Sequence, residues 1–197
     1  VIIPNAIKIR ENRSQHESNA FVLKVYIFYI VLGLVVCVAV GAMPEAFMRI
    51  TSKFDAAAIH ENRMIILLTI PTFFFILSSS YILNVFESYR YFTFPMILDM
   101  MKSGLIILFI VLLGPRFGVV SMAAGILLAH VIQFVLLNYF LIKLLGFSFK
   151  PQKFTVEKSL QKNIVFVVIS QVSTILSQYV ALYLISGLQE GVYTALS

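Results

Sequence analysis

Charge is what this chain has least of. Only 12% of its 197 residues are Asp, Glu, Lys or Arg, while 60% are hydrophobic; a soluble domain carries roughly 25% charged residues. So little charge cannot keep a folded surface of this size in water, and lipid is the solvent that fits. Cysteine is nearly missing too. Cys37 stands alone, so no disulfide within the chain staples the fold, and the compartment cannot be read from cysteine usage. No His, Cys and carboxylate group has metal-ligand spacing, no nucleophile sits beside an ordered base, and no glycine-rich loop is set to cradle phosphate. Catalytic residues, a metal and a cofactor are therefore not expected. His16 and His60 sit among polar neighbours and read as solvated loop residues. The net charge of +6 does not point to nucleic acid, because no basic face interleaved with aromatics stands outside the apolar runs. A charged leader with a short apolar core and a small-residue cleavage site is also missing. The start at Val1, and the stop soon after the last apolar run, suggest an internal piece of a longer protein.

What the chain does have is five long apolar runs: Phe21 to Met43, Met64 to Phe86, Phe94 to Leu113, Val119 to Ile142 and Ile164 to Ser186. Each falls within the ~17–25 residues that a helix needs to cross a hydrocarbon core of ~30 Å. The runs are continuous rather than alternating with a period of two, which favours helices over barrel strands. The expected fold is all-α and integral to the membrane, a bundle of five transmembrane helices plus the start of a sixth.

Orientation follows from the basic residues. Lys8, Arg10, Arg13, Lys24, Arg90, Lys143, Lys150, Lys153, Lys158 and Lys162 share one side, against Arg49, Lys53, Arg63 and Arg116 on the other. The richer side is cytoplasmic by the positive-inside rule, which puts the N-terminal end inside. Residues 1–20 read as the end of a preceding helix and a polar turn. Between the first two runs, Phe47, Ile50 and Phe54 have nearly helical spacing and suit either a short interfacial helix or a covering loop. The link GPRFG, 114–118, predicts a tight turn and makes the third and fourth runs an antiparallel hairpin. Small residues recur every four positions, as Gly33, Cys37 and Gly41 and again as Ser121, Gly125 and Ala129, a spacing that lets helix backbones approach closely.

Polar residues inside the runs are the candidates for function. Asp99 and Lys102 are three apart on one helical face, either as a neutralising pair or as part of a transport path. Ser170, Ser173, Thr174, Ser177 and Gln178 form a stripe on the fifth run that either lines a cavity or bonds neighbouring helices. His130, Gln133 and Asn138 fall on different faces of the fourth run and are expected to satisfy neighbouring helices. Pro71 and the serines 78–80 are expected to loosen or kink the second.

Taken in order, VIIPNAIKI, TIPTFFFILSSSYILNVFESYRYFTFPMILDMMKSGLIILF, GVVSMAAGILLAHVIQFVLLNYFLIKLLGF and ISQVSTILSQYVALYLISGLQEGVYTALS resemble the MviN/MurJ family of lipid II flippases over nearly the entire chain. This family lies within the superfamily of multidrug, oligosaccharidyl-lipid and polysaccharide flippases. The resemblance implies a fold of about fourteen helices in two lobes, of which this chain supplies the third to seventh and the start of the eighth. It implies alternating access around a cationic cavity, moving a polyprenyl-linked glycan from inner to outer leaflet for peptidoglycan synthesis. It implies an inner (plasma) membrane location and, as partners, the lipid-linked oligosaccharide substrate, membrane lipids and the cell-wall synthesis machinery. The cavity-lining face carries over to Ser170, Ser173, Ser177 and Gln178. The substrate-binding arginines belong to helices outside this piece, and the family carries uncharged residues near Asp99 and Lys102. Another lipid-linked polysaccharide or a drug as cargo, and a non-transporting membrane scaffold, are the alternatives.

Overall fold

A computed structural model describes residues 2–12, 14–149 and position 177, with side chains from Ile7 onward. Among these residues every regular element is helical: α1 (Ile2–Asn12), α2 (Gln15–Ala42), α3 (Pro44–Thr51), α4 (Ala56–Glu61), α5 (Arg63–Ser88), α6 (Thr93–Phe117) and α7 (Val120–Leu145). Four of them, α2, α5, α6 and α7, are long and apolar enough to cross a membrane. Apart from position 177, the fifth apolar run, 164–186, and the start of a sixth helix lie outside the described residues.

The helix ends follow from local chemistry. Ser14, extended at φ −160°, accepts a hydrogen bond from the Glu17 amide at 3.1 Å and so starts α2. Its S-x-x-E spacing is that of a capping box. This start lies six residues before the apolar run begins. Pro44 opens α3, where its missing N–H has no helical partner to lose. The stretch that the sequence leaves open between helix and loop becomes two short helices, with Phe47 and Ile50 on α3 and Phe54 in the connection after it. His16 is on α2 and His60 on α4, rather than in loops. The His60 Nδ1 lies 3.4 Å from Glu45 Oε1 in an exposed contact, a kind that contributes little.

At the far end of α5, Arg90 takes a left-handed conformation, φ 64°. The Tyr91 amide bonds the Phe86 carbonyl and the Arg90 amide bonds that of Glu87, the pattern of a Schellman motif. The Tyr91 ring meets the Phe86 ring edge-on at 6.4 Å, which supplies the apolar contact that usually accompanies the motif. Arginine stands where glycine is usual, at a cost of ~1–2 kcal/mol.

A further sequence expectation is corrected. The turn expected over Gly114 to Gly118 is shorter: α6 runs through Pro115 to Phe117, and the reversal is confined to Gly118 and Val119. Pro115 removes only the amide that would bond the Val111 carbonyl, in the last turn of the helix. Gly118, at φ 55° and ψ −134°, supplies a conformation that side chains do not tolerate. α5 continues as one helix past both Pro71 and the serines.

α5 lies at the centre, packed on both α2 and α7, while α6 pairs with α7 and α1 rests on α2. Phe21, Ile82, Phe86 and Leu137 are fully enclosed. Tyr26 and Tyr29 flank Tyr81, with ring centroids 5.8 and 5.1 Å from it. The Tyr81 hydroxyl donates to the Val22 carbonyl at 2.9 Å and that of Tyr26 to Asn138 Oδ1 at 2.9 Å, so three helices are joined by bonds as well as packing. Such interhelical bonds average ~0.6 kcal/mol in lipid.

The small residues differ in what surrounds them. A Cβ added at Gly125 would lie 3.0 Å from Phe109 Cβ and 3.5 Å from the Ile110 amide nitrogen, so α7 meets the backbone of α6 there. Gly33 faces the Phe74 ring, and Cys37 donates to the Ile70 carbonyl at 3.3 Å, so both abut α5. Gly41 faces open space. Gly125→Val should therefore destabilise the protein by about 1–3 kcal/mol through overpacking, whereas Gly41→Ala should be neutral or slightly stabilising. Thermal unfolding of the detergent-solubilised full-length protein separates the two, and equal losses would contradict the close approach of α6 and α7.

Candidate functional site

Asp99 and Lys102, the acid and base well inside the third run, pair on the α6–α7 hairpin. Asp99 lies six residues into α6, about 9 Å along its axis at 1.5 Å per residue. Lys102, one turn further, reaches back so that its Nζ lies 2.8 Å from Asp99 Oδ1. From α7, Gln133 Nε2 donates to the same oxygen at 2.8 Å. Gln133 is 1% exposed and thus wholly enclosed, whereas the Asp99 side chain is half exposed. Oδ1 therefore takes two donors, one charged and one neutral, and Oδ2 takes none among the described residues. Ser103 turns its hydroxyl back to the Asp99 carbonyl at 3.0 Å, as hydroxyls commonly do one helical turn on.

His130 lies one turn from Gln133 on α7. It is buried, its Nδ1 has no hydrogen-bond partner, and Lys102 and Asp99 are within its electrostatic reach. The pairing of Asp99 with Lys102 is geometric fact, and Gln133 is the member that the sequence alone did not connect to it. Folding the hairpin about its turn brings Asp99 opposite the residues numbered in the 130s, where Gln133 and Asn138 are both amides, so the sequence narrows the partner without choosing it. Asn138 stays apart, held by Tyr26 and by its own bond to the Phe134 carbonyl at 2.8 Å.

A second polar group closes the end of the bundle that carries Tyr89. Gln15 Nε2 donates to the Tyr89 hydroxyl at 2.7 Å, the hydroxyl donates to Asn19 Oδ1 at 2.8 Å, and the Arg10 guanidinium lies 4.7 Å over the ring. The turn between α1 and α2 is thus tied to the end of α5 by hydrogen bonds and a cation–π contact. Of the candidate stripe on the fifth run, Ser170, Ser173 and Gln178 lie outside the described residues. Ser177, the one position described there, is helical and exposed.

Among the described residues no group of three or more His, Cys, Asp or Glu side chains is placed to hold a metal. The chemistry that the cluster can perform is electrostatic. A lone charge deep in the bilayer costs ~2.5–3.5 kcal/mol on insertion scales, and pairing plus an amide bond offsets part of that. Asp99→Asn or Lys102→Met alone should each destabilise the protein by about 1–2 kcal/mol, less than the ~3–5 kcal/mol of a fully buried pair because Asp99 is half exposed. The double variant should recover part of the loss. Unfolding midpoints of the two single variants and the double variant test this, and a double variant no more stable than the worse single would refute mutual neutralisation.

Compared with protein-family models, the chain matches the lipid II flippase MurJ model over residues 1–197. A search of curated proteins and a search of solved structures each return no significant match. The matched family is one of transporters rather than catalysts, and it implies a lipid-linked substrate, a multi-pass location in the inner membrane and a place in peptidoglycan synthesis, in keeping with four helices long and apolar enough to cross a membrane. Because the match runs the full length of the sequence, the chain belongs to the lipid II flippase MurJ family.

Proposed function

We propose that this chain is part of a flippase that carries a polyprenyl-linked glycan, the peptidoglycan precursor lipid II, from the inner to the outer leaflet by alternating access. The observation that carries this reading is the family match over residues 1–197. The arrangement proposed with it is part of the N-terminal lobe of a larger flippase of about fourteen helices, with crossings at 21–43, 64–86, 94–113, 119–142 and 164–186 and the N-terminal end in the cytoplasm. An ionisable pair kept inside a span, with an enclosed amide holding it, supports a role on or beside the transport path. Rigid halves rocking about a site near the middle of the membrane are the usual way for such bundles to expose a cargo to one side at a time. Ser170, Ser173, Ser177 and Gln178 are proposed to line the path, and the cell-wall synthesis machinery is the proposed protein partner. The charged pair at Asp99 and Lys102, where the family resemblance leads one to expect uncharged residues, favours a different lipid-linked glycan as the second reading.

Depletion of the full-length parent protein in cells should cause lipid II to accumulate in the inner leaflet. Wild type should restore flipping and Ser173→Phe should not, although it reaches the membrane in normal amount. If no lipid-linked glycan pool changes on depletion, the flippase reading fails; if only a pool outside peptidoglycan synthesis rises, the substrate assignment alone fails.

The orientation has its own test, in a Cys37→Ala background. Arg116→Cys should react with a membrane-impermeant thiol reagent in intact cells, while Gln152→Cys should react only after permeabilisation. Labelling of position 152 in intact cells would invert the topology.

A further inference from the structure

An open groove of about 580 Å3 runs along α6 beside the charged pair, lined by Glu87, Phe92, Met96, Asp99, Met100 and Ser103 among others. Its volume lies in the range of small-molecule sites, ~300–1,000 Å3, and its shallow lining mixes apolar and polar side chains. The polar groups here are two carboxylates and a hydroxyl, and no Lys or Arg is among the lining residues. A pyrophosphate would find no cation among these lining residues. A group rich in hydroxyl and amide donors would meet acceptors instead.

The hydrogen bonds of Asp99 sharpen the point. Lys102 and Gln133 both bind Oδ1, while Oδ2 takes no donor among the described residues. A binding group fixed by its neighbours in this way is oriented before the ligand arrives. Phe92, 64% exposed, and Met96 and Met100, 66% and 68% exposed, offer apolar surface beside these acceptors. Sugars present both kinds of surface, hydroxyl and amide N–H edges and apolar C–H faces.

We propose that this groove is a subsite for the uncharged sugar part of the lipid-linked substrate and that it rejects the pyrophosphate, which is bound elsewhere. Asp99 and Glu87 accept from the sugar, Phe92 and the methionines cover its C–H face, and Lys102 and Gln133 act as positioning residues through Asp99. The inference rests on the flippase reading above.

The full-length parent in lipid nanodiscs would be titrated with two probes: the undecaprenyl-pyrophosphoryl disaccharide without its peptide, and undecaprenyl pyrophosphate, which has the same lipid and phosphates but no sugar. Wild type should bind the sugar-bearing probe about tenfold more tightly, equivalent to about 1.4 kcal/mol. Glu87→Gln, at an exposed side chain, and Ser103→Phe, which fills the groove, should remove most of that preference and leave binding of the bare pyrophosphate unchanged. Asp99→Asn should do the same, and the first two variants keep the test valid if that one folds poorly. Equal wild-type affinity for the two probes, or variants that weaken both probes alike or neither, would overturn the subsite. Failure of wild type to bind either probe would instead reject the flippase reading itself.

Discussion

Inside a bilayer, a polar group that the protein does not bond has no water to fall back on. Nearly every polar contact between these helices answers to that constraint. The Tyr81 hydroxyl finds the Val22 carbonyl, Tyr26 finds Asn138, Cys37 finds the Ile70 carbonyl, and Asp99 finds both Lys102 and Gln133. Helix pairing in lipid lacks the hydrophobic drive that assembles soluble cores, so close packing at Gly125 and these bonds between helices set which surfaces meet. Ser78 and Ser79, whose buried hydroxyls have no partner, and His130, with an unpartnered Nδ1, are the exceptions among the described residues. The last of these lies one helical turn from the charged cluster, where the polarity of the bundle is concentrated.

Much of this architecture was legible in the sequence because one-dimensional signals determine it. Bilayer thickness fixes the length of an apolar run, so long helices at the first four runs could be expected from hydropathy alone. The charged pair was legible for a similar reason: a spacing of three along one helix implies proximity whatever packs against it. The hairpin of α6 and α7 followed from a link too short for anything else. Its turn was misplaced because Gly and Pro were read together as one breaker. Pro115 is tolerated in the last helical turn, and Gly118 alone supplies the reversal.

What could not be read was contact between helices. Nothing in the sequence says that Gln133 rather than His130 or Asn138 meets Asp99, because that depends on the rotation of α7 against α6. That rotation follows from the close approach at Gly125. Likewise Tyr89 reads as an ordinary residue at a helix end. Only the fold brings Gln15, Asn19 and Arg10 around its ring and hydroxyl. The groove beside Asp99 was hidden for the same reason, since Glu87 and Phe92 reach it from outside α6.

The two-residue reversal at Gly118 and Val119 also bears on how the chain enters the membrane. With only two residues between them, α6 and α7 are joined as one helical hairpin, and Arg116 is the charged residue at its tip. On its own, α6 would present Asp99 and Lys102 to lipid without the amide that helps hold them. Entering as a hairpin, it brings Gln133 along in the same event, so the cluster can form as the second helix partitions rather than after the whole bundle has gathered. A longer linker at this turn would separate those two moments and leave the carboxylate to wait for its partner during biogenesis.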